Sequence, residues 1–278
     1  MSLLSPEQLN ILLSPRRLAA KRSSGSWRPA FVGSDAIPIE AAATGEAAWQ
    51  PAIVALRTYV NSLDQKQRGA TIKIVLSDHF CRYVLVPWSD ALGSASEEMM
   101  LAKHCLKSVY GAGTDEWAVR IALGSAGSTR LASAVDPMLL SEIELIMRPF
   151  GRRFGSLQPH FVMCFNHWRA RLPKEGVWLI TVDEGFLCVA RVRRGEWVSV
   201  NTMSVGVNWR AQLPSILERE EALSETGEDS NAVMVIAGDG LATPWPQSEK
   251  WRFQELSPTP FHEAVPTSSD ALAASAEA

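Results

Sequence analysis

The chain has 278 residues, enough for one large domain or two smaller ones with a sizeable core in either case. Apolar residues make up 46 %, charged residues 21 %, and the formal net charge is -3, so electrostatics give no ground for a nucleic-acid partner and point to a protein or small molecule. No run approaches the roughly 20 apolar residues of a membrane span, and MSLLSPEQLNILLSPRR is not a secretory signal, so a cytosolic chain is expected.

Residues 9 to 22, LNILLSPRRLAAKR, form two apolar-rich pieces around Ser14-Pro15 and predict strand, turn and strand. An extended piece is expected from Trp27 to Ile39, and the small-residue connection after it, IEAAATGEAAW, is compatible with more than one assignment. From Pro51, apolar residues at Ile53, Leu56, Val60 and Leu63 recur every three or four positions, which predicts a helix with proline in its first turn. ATIKIVLS and CRYVLVPW then read as strands, the second ended by Pro87. SASEEMMLAKHCLKSVYG predicts a helix with Ser94 or Ser96 as N-cap, Glu97 and Glu98 in the first turn and a stop at Gly111.

EWAVRIALG and STRLASAV predict a hairpin around Gly124 to Ser128, and Asp136-Pro137 then opens a helix through Ile146. A short strand in GRRFGSLQP leads to an aromatic-rich helix from about Pro159 to Arg171. WLITVDEGFLCVARVRRGEWVSV predicts three strands, with tight turns at Asp183-Glu184-Gly185 and Arg193-Arg194-Gly195. A helix from about Asn208 to Leu223, a polar linker SETGEDSN, a strand VMVIAG with a Gly238-Asp239-Gly240 turn, and a last strand WRFQEL follow. The final Pro-, Ser- and Ala-rich residues have little to bury and are expected to be disordered.

Cys81, Cys105, Cys164 and Cys188 stand singly, without a C-x-x-C, and read as reduced core residues. Asp78-His79 and Asp90 near Cys81 suggest nucleophilic or acid-base chemistry, yet His79 and Cys81 are expected on one face of a strand and no glycine-framed nucleophile turn is present, so a structural role is the better reading. His160 and His167 lie seven apart, too wide for a zinc-chelating helical pair, and Glu142 and Glu144 diverge around their helix. The ten tryptophans suit interfaces as well as cores.

The repeated order of strand, turn, strand, strand and helix resembles the actin-like ATPase superfamily, and within it the PilM and GspL branch of type IV pilus and type II secretion assembly proteins. IKIVLSDHFCRYVLVPW with the glutamate-led helix after it, TRLASAVDPMLLSEIELIMRPFGRRFGSLQPHFVMCFN, WLITVDEGFLCVARVRRGEWVSVNTMSVG and VMVIAGDG line up in order with the pattern of that branch, over roughly residues 9 to 256. The resemblance implies an α/β, two-lobed actin-like ATPase (ribonuclease H-like) fold with mixed sheets and a reduced second lobe. The first lobe would span 1–172, with its core in 1–77 and 159–172 and an inserted subdomain at about 78–158. The second lobe would span 173–256, with 257–278 as a tail.

Nucleotide binding in that superfamily implies an Asp-x-Gly turn in each lobe and a glycine-rich adenosine loop. The first turn here, LLSPRRL, has neither aspartate nor glycine, and Pro15 lacks an N–H. The second keeps Asp183 and Gly185, but Glu184 would repel phosphate and Phe186 would hinder backbone approach, so a plain hairpin turn is the better reading. Gly238 and Gly240 match the adenosine loop only as a common turn signal. The 26 residues between Gly206 and Val233 leave no room for a subdomain covering adenine.

The resemblance therefore implies a cytoplasmic scaffold, recruited to the inner membrane through partners, that hydrolyses no nucleotide and needs no cofactor. Its partners would be a short cytoplasmic peptide of an inner-membrane assembly protein and a pilus or secretion ATPase, with Arg16, Arg17, Arg22 and Arg82 as candidate contacts and homodimerisation left open. The alternatives are an active ATPase using ATP and magnesium at Asp183 and Gly185, and a self-assembling filament protein.

Overall fold

A computed structural model describes residues 7–24, 30–65, 67–224, 231–237 and 244–256. The polar linker lies almost wholly outside them, as do the Gly238–Gly240 turn and the final tail.

Strands β1 (Glu7–Leu13), β2 (Arg17–Ser24) and β3 (Ala30–Pro38) come first, then helix α1 (Gln50–Ser62) and β4 (Thr71–Leu76). After a 3₁₀ turn at Asp78–Phe80 come β5 (Cys81–Val86) and α2 (Ala95–Tyr110). Ser94 is the N-cap of α2: its hydroxyl accepts from the Glu97 N–H while the Glu97 carboxylate accepts from the Ser94 N–H. Gly111, at φ 82°, ends the helix. The hairpin β6 (Ala118–Ile121) and β7 (Arg130–Val135) leads to α3 (Pro137–Met147), whose entry is capped by Asp136 Oδ1 accepting from the Met138 N–H at 2.8 Å.

β8 (Phe154–Pro159) then runs into α4 (His160–Trp168), which is shorter than the sequence suggests because Arg169–Arg171 tighten into a 3₁₀ turn. The expected three strands are β9 (Val177–Asp183), β10 (Phe186–Arg193) and β11 (Glu196–Ser204), followed by α5 (Trp209–Ala222), β12 (Ala232–Ala237) and β13 (Arg252–Glu255).

Two compact units result. Among the described residues, one runs to Val75 and takes in Ile143–Gln158; the other comprises Leu76–Glu142 and the chain from Pro159 to Leu256. In the first, a sheet of order β3-β2-β1-β4-β8 buries Leu9, Ile11, Leu18, Ile72 and Ile74. Helix α1 contributes the buried face Ile53, Leu56, Tyr59 and Val60, and Tyr59 donates to Asp35 Oδ2 on β3 at 2.8 Å. Burial first, and the Asp35 carboxylate second, push the Tyr59 hydroxyl pKa upward. Gly155 lets β8 lie close to β4, since a Cβ there would stand 2.8 Å from Thr71 Cγ2.

The second unit has two sheets. β5-β7-β6 is wholly antiparallel and packs Val84, Val86, Ala132 and Ala134 on Ala102 and Leu106 of α2. In β11-β10-β9-β12-β13 the first three strands are antiparallel, while β12 runs parallel to β9 and β13. β9 is buried along its whole length, and Trp178, Ile180 and Val182 form one core with Trp209, Leu213 and Trp251. Several tryptophans are thus core residues. Within the described chain α5 is the element between β11 and β12.

Candidate functional site

The β1–β2 turn, in the first unit, is Ser14-Pro15-Arg16. The buried Ser14 N–H donates to the Arg17 carbonyl at 3.0 Å. Its hydroxyl oxygen accepts from the N–H groups of Arg16 at 3.4 Å and Arg17 at 3.1 Å, and its O–H donates back to the Arg17 carbonyl at 3.1 Å. Pro15 has no N–H. The donors that a phosphate-gripping hairpin would present are engaged within the turn itself.

The β9–β10 turn, in the second unit, has the form of a two-residue hairpin. Asp183 pairs with Phe186, and the central residues Glu184 and Gly185 both have positive φ, 47° and 82°. That is the twist a type I′ turn needs, and Gly185 supplies it without steric cost. The Gly185 carbonyl accepts from the Val205 N–H at 2.8 Å, and a Cβ on Gly185 would stand 3.1 Å from the Val205 carbonyl oxygen. His79 Nε2 lies 3.1 Å from the Asp183 carbonyl, an acceptor only, so that nitrogen carries the proton. The same ring packs at a tilt against Phe186, with ring centroids 4.7 Å apart. Asp183 itself is buried, 2 % exposed.

Two residues before Asp183 on the same strand, Thr181 opens onto a buried polar centre that sequence reading missed. Asp78, 2 % exposed, is its hub. Its Oδ1 accepts from Tyr83 Oη at 2.6 Å and from the Phe161 N–H at 3.0 Å, while Oδ2 accepts from Thr181 Oγ1 at 3.1 Å and faces His160 Nδ1 at 3.3 Å. His160 Nε2 in turn lies 3.3 Å from Cys164 Sγ. Burial would raise the Asp78 pKa, but His160, Tyr83 and the Phe161 N–H together hold it below the ordinary carboxylate value. Burial would lower the His160 pKa, and it is outweighed by Cys164 and Asp78, which raise it well above the ordinary imidazole value. The two groups form a buried ion pair.

The order Cys164, His160, Asp78 has the outline of a thiol triad, but His160 and Cys164 are 0 % exposed. No substrate reaches them. The hydrogen bonds instead tie the 3₁₀ turn, β5, α4 and β9 into one body. The sequence reading placed His79 and Cys81 on one strand face; the structure corrects this, because His79 lies in the 3₁₀ turn, with Ser77 accepting from its N–H at 3.3 Å, and Cys81 begins β5. Burial, followed by the Asp78 charge, raises the Cys81 thiol pKa, the opposite of what a nucleophile needs. His160 is a core residue, whereas His167 is exposed and stacks edge-on against Trp168 at 5.2 Å.

The candidate arginines fall in different places. Arg16 is exposed at the β1–β2 turn, Arg17 is half-buried at the start of β2, and Arg22 lies 3.8 Å from Asp35 on the neighbouring strand. In the second unit, Arg82 Nη1 donates to the carbonyls of Cys81 at 2.8 Å and His79 at 3.2 Å, and its guanidinium lies over the rings of Tyr110 and Trp117. Gly238 and Gly240 fall outside the described residues.

No family model matches the chain, and no curated protein matches it. Solved structures do. The cytoplasmic domain of EpsL, an inner membrane component of the type II secretion system of Vibrio cholerae, is similar at 14 % identity and a TM-score of 0.54, over 90 % of each chain. The PilM-PilN type IV pilus biogenesis complex is similar at 14 % identity and a TM-score of 0.57, over 84 % of this chain and 83 % of that one. A Bacteroides thetaiotaomicron protein of unknown function with an actin-like ATPase fold is similar at 8 % identity and a TM-score of 0.54, over 87 % and 86 %.

Proposed function

For a chain with the actin-like ATPase fold, we propose a scaffold role in a type IV pilus or type II secretion-like assembly platform. The scaffold holds a short cytoplasmic peptide of an inner-membrane protein, the assembly ATPase, or both, and hydrolyses no nucleotide. The observation that carries this reading is the β1–β2 turn: Ser14 engages the N–H groups of Arg16 and Arg17, and Pro15 offers none. A nucleotide phosphate placed there would meet no open backbone donor from those three residues and no carboxylate to organise a metal. Likeness over most of both chains to EpsL and PilM supports the platform role, and the cytoplasmic face of the inner membrane is the compartment that follows from it.

Titration calorimetry with ATP and magnesium tests this reading. No binding heat in the micromolar range is expected, and none should be gained or lost on Asp183→Ala. Micromolar binding abolished by that substitution would overturn the scaffold reading in favour of an active ATPase. Affinity capture from the host's membrane fraction tests the platform role, and the expected product is a single-span inner-membrane protein or an assembly ATPase. Recovery of soluble metabolic enzymes alone would count against it.

A further inference from the structure

Within the second unit, a cleft of about 700 Å³ lies between the β6–β7 loop, the segment that follows α4, and the β10–β11 turn. That volume falls in the range of ligand sites, and the chemistry of its lining is uneven. Arg169, Lys174 and Arg194 line it as exposed cations, with Glu196 as the carboxylate among the lining residues. A fourth cation, Arg130, is already committed, since it pairs with Glu98 at 2.6 Å and covers the Trp88 ring. In a chain of net charge -3, three cations against one carboxylate make a local reversal of sign.

The frame that carries them is set in advance. The Arg194 N–H donates to the Lys174 carbonyl at 2.8 Å, which ties the β10–β11 turn to the segment after α4, and Arg194 is fixed at φ 53°. Apolar surface is available beside the charges: Phe165 and Trp197 pack with ring centroids 4.3 Å apart, half-buried Leu172 lines the wall, and Leu123 stands fully exposed at the rim. A site for a small anion gathers buried donors on one point, whereas these cations are exposed and spread over two segments, the one that follows α4 and the β10–β11 turn. An extended chain that alternates carboxylates with an apolar side chain suits this lining.

We propose that this cleft docks an acidic polypeptide segment of a partner, with carboxylates paired to Arg169, Lys174 and Arg194 and an apolar side chain set against the Phe165–Trp197 pair. The proposal deepens the scaffold reading and rests on it for the source of the segment, not for the existence of the site.

Fluorescence anisotropy tests it with three probes: a labelled peptide of glutamates interspersed with leucine and phenylalanine, its lysine-for-glutamate counterpart, and labelled phosphatidylglycerol vesicles. The acidic peptide should bind saturably, one per chain, and more weakly as salt rises. The double variant Arg169→Glu, Arg194→Glu should weaken it about tenfold, the effect of removing two exposed ion pairs. Lys174→Glu alone should act in the same direction. All three positions are exposed, so an unchanged circular dichroism melt is expected and separates docking from folding. The proposal is overturned by absent saturation, by equal binding of the lysine peptide, by an unchanged affinity in the charge-reversed variants, or by vesicles binding where the peptide does not. ATP binding in the calorimetric test would overturn the scaffold reading and leave the cleft standing; failure of the peptide titration would do the reverse.

Discussion

The two hairpin turns at Ser14–Arg16 and Glu184–Gly185 occupy matching places in their sheets and are closed by opposite means. The first is closed by a side chain: the Ser14 hydroxyl bridges the turn and takes up the N–H groups of Arg16 and Arg17. The second is closed by backbone conformation, with both central residues at positive φ and with Val205 packed on Gly185. It also has a mooring that lies within its own unit, because β9 reaches Asp78 through Thr181, and His79 holds the Asp183 carbonyl. An Asp-x-Gly sequence is therefore no index of phosphate chemistry by itself. The turn that has those residues gives its glycine a conformational use and its aspartate carbonyl a histidine partner, while the turn that lacks them keeps its shape through a serine.

The largest expected effect comes from cutting the mooring of the second turn. Asp78→Ala removes the carboxylate beside buried His160 together with the acceptor of Tyr83 Oη, Thr181 Oγ1 and the Phe161 N–H, and should cost about 3–5 kcal/mol, the usual range for removing one partner of a buried pair. Hydrogen exchange should show amides of β9 and β10 losing protection while those of β1 and β2 keep theirs; equal loss in both hairpins would erase the contrast between them. The same pair carries a pH signature. His160 has a folded pKa raised above its ordinary 6.5, so its contribution is complete below that value and is lost as pH rises through the raised one. Asp78 is depressed below its ordinary 3.8, so its contribution is present above that value and is lost as pH falls through the lowered one. Urea unfolding of the parent chain should weaken as pH rises through the raised His160 value, and His160→Gln should lack that alkaline decline.

Much of the scaffold around these turns was legible in the sequence, and most of the polar centre was not. Strand alternation, Ser94 with Glu97, Pro51 and Asp136-Pro137 are local signals, and each specifies an element within a few residues of itself. The tight turns at Asp183–Gly185 and Arg193–Gly195 were legible for the same reason. Asp78, Tyr83, His160 and Thr181 come from four segments up to 103 positions apart, and only the fold brings them together. One trace was visible: Thr181 and Asp183 are polar residues inside an otherwise apolar run, and a strand buried along its whole length must give such groups partners. The shortened α4 was missed because helical patterning does not distinguish an α-turn from the 3₁₀ turn at Arg169–Arg171.

A smaller effect separates conformation from side-chain closure directly. Gly185→Ala keeps the β9 mooring but forces a Cβ into a left-handed residue and to 3.1 Å from the Val205 carbonyl. The cost should be about 1–2 kcal/mol, read as a lower urea midpoint with an unchanged slope. An unaffected midpoint would mean that the turn tolerates other geometries and that Gly185 is not held by conformation.

The smallest effect is expected at the first turn, where closure depends on one hydroxyl. Ser14→Ala removes the acceptor for the N–H groups of Arg16 and Arg17 and the donor to the Arg17 carbonyl. The backbone bond from the Ser14 N–H to the Arg17 carbonyl at 3.0 Å survives, and exposed Arg16 can turn its N–H to water, so the loss should be about 1 kcal/mol. Faster exchange of the Arg17 amide, with β1 and β2 otherwise protected, is the expected reading. Ser14→Thr keeps the hydroxyl and should restore slow exchange if the buried site accepts the added methyl group. The released N–H groups also test the contrast from the other side. If Ser14→Ala gains measurable affinity for inorganic phosphate, the hydroxyl is what keeps this turn from gripping an anion. If it gains none, the hydroxyl sets only how this turn is closed, and its difference from the Glu184–Gly185 turn is one of closure alone.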